Sequence, residues 1–185
     1  RRRPVRMVTA DATYDGFDAE GRPTHGKTAD GQSIDIGYEG NGNSTARYGG
    51  ADGGTTVTSN ADGAPIRMQT ADATYDRFDG EGRPTHGTTK DGQSIDIGYE
   101  GNGNSTARYS GADGGTTVTS NADGAPIRMQ TADATYDRFD GEGRPTHGTT
   151  KDGQSIDIGY EGNGNSTARY GGADGGVTVT SNADG

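Results

Sequence analysis

The five residues Phe17-Asp18-Ala19-Glu20-Gly21 return as Tyr38-Glu39-Gly40-Asn41-Gly42 and as Ser59-Asn60-Ala61-Asp62-Gly63, and the series begins again at Phe78. Asp and Asn side chains bond the nearby backbone, and Gly supplies the positive φ that a hairpin turn demands. Each string therefore reads as the end of a strand entering a tight turn. The starts at 17, 38, 59 and 78 leave steps of 21, 21 and 19 residues, each long enough for a pair of strands. Further turn signals fall halfway through the steps, at Asp30-Gly31, at Asp52-Gly53-Gly54 and, more weakly, at Ala71-Asp72. Turns spaced by roughly ten residues suit short antiparallel strands and would cut any helix short. The chain is predicted to be all-β and helix-free: a tandem array of short antiparallel β-hairpins forming a strip, a solenoid-like stack or a fibre. Gly21, Gly31, Gly42, Gly53 and Gly63 are the predicted turn residues of its first copy.

A longer period contains this one. Tyr14, Tyr75 and Tyr136 lie 61 residues apart, as do His25, His86 and His147, dividing the chain into three copies at 3–63, 64–124 and 125–185. The last two differ only at Ser110 against Gly171 and Thr116 against Val177, which points to recent duplication. Within a copy the segments alternate as half-buried strands do. Ile34, Ile36 and Tyr38 point one way, with Asp35 and Gly37 the other; Tyr48 follows the same rule, and so do Ile66 and Met68 against Arg67 and Gln69. The predicted packing residues are these together with Tyr14 and Phe17, and their counterparts Tyr75, Phe78, Ile95, Ile97, Tyr99, Tyr109, Tyr136 and Tyr160. Tyr38, Tyr99 and Tyr160 are expected to pack against the neighbouring strip. The β-branched run Thr55-Thr56-Val57-Thr58 favours a strand.

Composition decides how such copies can be stable. Only 26% of the chain is hydrophobic and 35 of its 185 residues are Gly. The middle copy holds nine large apolar residues: Ile66, Met68, Tyr75, Phe78, Ile95, Ile97, Tyr99, Tyr109 and Val118. Burying one is worth roughly 1.5–3 kcal/mol, whereas ordering each residue's backbone costs about 1–2 kcal/mol, so a lone copy cannot hold itself together. Neighbouring copies or other chains must share the work. Low hydrophobicity with a net charge of −10 would suit a disordered chain, but such chains do not keep Tyr, Ile and Val at fixed distances from Gly turns. The acidic balance argues against nucleic-acid and anionic-membrane partners, Arg1-Arg2-Arg3 being the one basic cluster. No apolar run approaches the roughly 18 residues needed to cross a bilayer as a helix, and no signal peptide is visible. The absence of Cys says nothing firm about redox compartment.

Tyr14-Asp15 followed by Phe17-Asp18-Ala19-Glu20-Gly21-Arg22-Pro23-Thr24, then Asp30-Gly31, then Ile36-Gly37-Tyr38-Glu39 and Gly42-Asn43, resembles the YD or RHS repeat. That repeat pairs Tyr-Asp with Gly-Arg or Gly-Asn, a stretch ending in Asp-Gly, and another aromatic-acid pair some 20 residues on. The resemblance can be traced along the whole chain. It implies a large secreted or surface bacterial protein in which β-hairpin strips build shells around toxins or contact carbohydrate. The chain departs from the pattern at Tyr38-Glu39, where the pair is softened, and at Ser59-Asn60, where it is lost.

No catalytic or ligand constellation emerges. His25, His86 and His147 stand one per copy in Thr-His-Gly, and a metal needs three or four ligands in one shell. Asp15, Asp18, Glu20, Asp52 and Asp62 meet no calcium-loop pattern, although turn acids keep calcium as an open alternative. Gly40-Asn41-Gly42-Asn43 lacks the lysine, the serine and the helix of a phosphate loop. Ser44 and Thr45 have no His and carboxylate placed around them by motif. Two functional classes remain. The first is a structural β-fibre, filament or stalk at the cell surface or outside the cell, self-associating and a segment of a longer array; the second is a repeated carbohydrate-binding face or shell segment. Near-identical copies suit a uniform lattice and favour the first.

Overall fold

The computed structural model describes residues 4–49, 54–111, 115–171 and 176–183. The chain falls into two compact units, Arg1–Gln93 and Ser94–Gly185. Among the described residues there is no helix. The first unit is built from β1 (Met7–Val8), β2 (Ala12–Phe17), β3 (Pro23–Thr28), β4 (Ser33–Tyr38), β5 (Ser44–Tyr48), β6 (Thr55–Ser59), β7 (Pro65–Gln69), β8 (Ala73–Phe78) and β9 (Pro84–Thr89). Each strand pairs antiparallel with the next in sequence. The second unit repeats the plan with β10 (Ser94–Tyr99), β11 (Ser105–Ser110), β12 (Thr116–Ser120), β13 (Pro126–Gln130), β14 (Ala134–Phe139), β15 (Pro145–Thr150), β16 (Ser155–Tyr160), β17 (Ser166–Gly171) and β18 (Val177–Ser181). The fold is thus an all-β tandem array of hairpins.

The turns share one construction. In Asp18–Arg22 the Asp18 N–H donates to the Arg22 carbonyl at 2.9 Å and the Gly21 N–H to the Asp18 carbonyl at 3.2 Å, with Gly21 at φ 84°. This is a tight turn closed by a left-handed Gly, the geometry in which any Cβ is strained. The same pair of bonds closes Thr28–Gln32 around Gly31, Glu39–Asn43 around Gly42 and Asn60–Ala64 around Gly63. A side-chain acceptor stiffens each loop. Asp18 Oδ1 takes the Glu20 and Arg22 N–H groups, and Asn60 Oδ1 takes those of Asp62 and Ala64. In the Asp30-Gly31 turn the acceptor is not the Asp but Thr28 Oγ1, which takes the Gln32 N–H at 2.9 Å. Gly53 lies outside the described residues, together with Gly50, Ala51 and Asp52; Gly54 has φ 70°. The turn at Ala71-Asp72 closes without Gly, as Thr70 and Ala73 bond through backbone and hydroxyl.

The core of each unit is thin. Buried apolar side chains among the described residues are Ala12, Ala73 and Ala134 with Ile34, Ile95 and Ile156, one Ala and one Ile per copy. Tyr14, Phe17, Ile36, Tyr38, Tyr48, Met68, Tyr75, Phe78, Ile97, Tyr99, Tyr109, Tyr136 and Tyr160 are half-buried. Cross-strand rows bind the copies into one another. One row runs Tyr14, Gly26, Ile34, Tyr48; the row that reaches Tyr75 of the next copy runs back through Met68, Val57 and Ala46 to Ile36. The two meet β4 two residues apart, so the second copy's tyrosine packs along the first copy's strands and no seam separates them.

Ile66 is a correction to the alternation. Counted outward from the Asn60–Ala64 turn, Thr58 would meet Ile66 and Val57 would meet Arg67. Instead Thr58 meets Arg67 and Val57 meets Met68, leaving Ile66 as the extra residue of a bulge, 43% exposed. The bulge puts Met68 instead of a guanidinium opposite Val57, at the expense of exposing one Ile. Ile127 occupies the same position in the third copy and is 44% exposed.

Candidate functional site

The β2–β3 hairpin gathers the chain's most chemically marked residues, and its register follows from its turn. Ala12, Thr13 and Tyr14 pair with Thr28, Lys27 and Gly26, and the ladder breaks locally at Asp15 and Thr24 before Phe17 meets Pro23. Adjacent residues then serve opposite faces. On the inner face the Tyr14 ring lies over Gly26, where an added Cβ would stand 2.8 Å from Tyr14 Cδ1 and 2.5 Å from the Thr13 carbonyl oxygen. Gly26 is the seat of the ring, which an amino acid with a side chain would fill. Next in that row is Ile34, 2% exposed, with Tyr48 beyond it. Burial raises the Tyr14 phenol above its ordinary value, Tyr48 adding to the effect.

On the outer face Asp15 Oδ1 stands 2.8 Å from His25 Nδ1, and Asp35 Oδ1 lies 4.0 Å from Nε2 of the same ring. The hydrogen bond from His25 holds the Asp15 carboxyl below its ordinary value, and the bond to Asp15 raises that of His25, Asp35 adding to it. Asp76 with His86 and Asp137 with His147 repeat the contact at 2.7 Å. His25 faces Asp35 across the ladder, and Asp35 faces Arg47, so charge alternates from strand to strand. Because the two acids address opposite ring nitrogens, their oxygens do not converge on one point. Among the described residues no group of three or more His, Asp or Glu is arranged to hold a metal ion.

A third cluster closes the turn end. Arg22 Nε donates to Asp18 Oδ2 at 2.7 Å, its guanidinium carbon lies 4.1 Å from the centre of the Tyr38 ring, and the Tyr38 hydroxyl donates to the Pro23 carbonyl at 2.8 Å. Arg144, Tyr160 and Pro145 repeat this at 4.2 and 2.7 Å. Tyr38 and Tyr160 therefore pack on the adjacent strand and turn of their own copy. In the second copy the Arg83 backbone N–H, foremost, holds Asp79 below its ordinary value. These ion pairs are open to solvent on the Arg side, so each contributes little to stability.

The outer face also carries a shallow recess. Gly37 has nothing within 4 Å of an added Cβ, and with Thr24, Asp35, Ile36, Thr45 and Arg47 it lines a hollow of ≈ 400 Å³. Gly159 lies in the equivalent hollow of ≈ 370 Å³ with Asp157 and Arg169. The aromatic rings of the hairpins belong to the opposite face. The His-Asp contact, the ring seat and the Arg-Tyr stack are pairings that reading along the sequence misses. Counting outward from a turn finds the first two: from Asp18 and Arg22, Asp15 falls opposite His25 and Tyr14 opposite Gly26. No protein-family model matches this chain, and no curated protein matches it either.

Proposed function

We propose that the array is itself the function: the chain is a structural β-repeat segment of an extracellular or cell-surface fibre, filament or stalk, and it self-associates through its strips. One observation carries this reading: the marked side chains are engaged within their own copies. Asp15 bonds His25, Arg22 bridges Asp18 and Tyr38, and Tyr14 covers Gly26. The contacts recur copy after copy as a lattice requires and do not converge on one reacting centre. The resemblance to YD repeats supports the surface location, and in this chain the Tyr-Asp pair has a physical task, locking the hairpin from both faces.

A second reading, a repeated carbohydrate-contacting face, draws on the recess at Asp35, Gly37 and Arg47. The placement of the rings on the other face weighs against it, since sugar recognition leans on aromatic contact. X-ray scattering on chains of two, three and six copies at low concentration separates the readings. The structural reading expects the largest dimension to grow by a constant step per copy. A compact particle whose size barely responds to copy number, or saturable oligosaccharide binding lost on Arg47→Ala, would overturn it.

A further inference from the structure

We propose that Asn43, Asn104 and Asn165 are N-glycosylation sites, each accepting a sugar from a donor activated as a diphosphate ester. Each opens an Asn-Ser-Thr triplet, as in Asn43-Ser44-Thr45, and the chain's other Asn residues open none: Asn41 precedes Gly-Asn and Asn60 precedes Ala-Asp, and their counterparts do the same. An Asn followed two residues on by Ser or Thr, with no Pro between, is the pattern that N-glycosyl transfer reads, and it is common enough by chance that the fold must decide whether the Asn is available. Here the fold sorts the three Asn of a copy by what their side chains do. Asn41 Oδ1 accepts the Asn43 N–H at 2.9 Å and Asn60 Oδ1 accepts those of Asp62 and Ala64, so both amides fasten turns. Asn43 gives its turn only backbone: its carbonyl accepts the Glu39 N–H at 2.9 Å, and among the described residues its side-chain amide has no partner. Asn104 and Asn165 stand in the same way.

Placement and space agree with this assignment. Asn43 is half-buried at the end of an exposed turn and β5 begins at Ser44, so the alternation of an extended chain sets Asn43 and Thr45 on one face. It is the outer face, where Thr45 stands opposite Gly37 and Thr58. That face is open beside the site. An added Cβ at Gly37 or Gly40 meets nothing within 4 Å, and Gly98, Gly101, Gly159 and Gly162 repeat this in the other copies. Gly37 has no positive φ and no crowding neighbour, so its own hairpin does not require Gly, whereas a bulky group lying over the strand does. In the transfer, Asn43 Nδ2 attacks C1 of the donor sugar: the N–C1 bond forms, the C1–O bond breaks with its electron pair leaving on the diphosphate, and one Nδ2 proton passes to a base of the transferase. Nothing is oxidised or reduced.

The full chain, freshly translated and not yet folded, is offered two donors, each with its own transferase: an oligosaccharide on a lipid diphosphate, and a nucleotide-diphosphate glucose. The expected result is a mass ladder of successive glycans in at least one arm, which identifies the donor, with the sugars mapped by peptide mass spectrometry to Asn43, Asn104 and Asn165. Changing the three Asn to Gln should remove the ladder. Thr45→Ala, Thr106→Ala and Thr167→Ala together should remove it as well, whereas Ser at those three positions should restore it, because Ser keeps the hydroxyl that the transferase reads. Allowed to fold, the modified chain should keep the strand circular dichroism of the unmodified one, its sugars lying on the open face. Four results would overturn the proposal: no mass gain with either donor, a gain that survives the Asn→Gln changes, a gain indifferent to Thr→Ala, or a modified chain that loses its strand signal. Self-association is measured on the unmodified chain, so failure of the sites leaves the structural reading intact, and the reverse holds too.

Discussion

Gly87 and Gly98 both interrupt strands, yet a single methyl group would separate them. Neither has a positive φ, so what differs is the space where Cβ would stand. At Gly87 it would lie 2.6 Å from the Thr74 carbonyl oxygen and 2.7 Å from Tyr75 Cδ1; at Gly98 it would meet nothing within 4 Å. Gly87→Ala should therefore unseat the Tyr75 ring and cost about 1–3 kcal/mol, as overpacking does. Gly98→Ala should fall within about 0.5 kcal/mol of the parent, as surface substitutions do. Urea unfolding of the two variants checks this, and equal losses would refute the ring seat. Ser110, one of the two differences between the later copies, has a comparable local account. Its hydroxyl meets that of Ser94, while at Gly171 an added Cβ would lie 2.6 Å from Ser155 Oγ.

At the scale of the hairpin, the Asp15-His25 contact makes β2–β3 responsive to pH. Asp15 is held below its ordinary 3.8, so its contribution is present above that value and fades as pH falls through the lowered one. His25 is raised above its ordinary 6.5, so its contribution is complete below 6.5 and is lost as pH rises through the raised value. Together they support the hairpin most between those limits, in mildly acidic solution. Proton NMR titration of the His25 ring should give a pKa above 6.5 that returns toward it in Asp15→Asn, and a titration unmoved by that change would remove the contact from solution. Hairpins and their turns were legible in the sequence because Asp, Asn and Gly act locally, and so was the burial of Ile34, which stands within a clean alternation. Ile66 was not, because a bulge changes which side chains face inward and is set by the partner strand: it is Val57 that selects Met68 over Arg67. The Asp15-His25 contact spans ten residues and becomes visible only when strands are counted outward from their turn. The Arg22-Tyr38 stack needs a third strand and has no such rule.

At the scale of the whole chain, strands pair with their neighbours in sequence within each unit, so copies should be removable in phase. Deleting residues 64–124 joins Gly63 to Ala125 and asks β6 to accept Pro126–Gln130 in place of the identical Pro65–Gln69. The turn survives, because the Ala125 N–H takes the place of the Ala64 N–H that donates to Asn60 Oδ1 at 2.9 Å. Val57 again meets a methionine, now Met129, and the row running from Tyr136 continues through Val57 and Ala46 to Ile36. Stability in such arrays is close to a sum over units and their nearest-neighbour interfaces, so the shortened chain should fold with the same circular dichroism per residue. Its urea dependence should fall by about a third, in proportion to the surface exposed on unfolding. Deleting one residue more, 64–125, is the decisive control. It brings Pro126, which has no N–H, to the position that must donate to Asn60, and it shifts Met129 off the row of Val57. The in-phase chain should therefore melt cooperatively and the out-of-phase chain should melt well below it; two deletions of equal stability would show that copy register does not organise this fold.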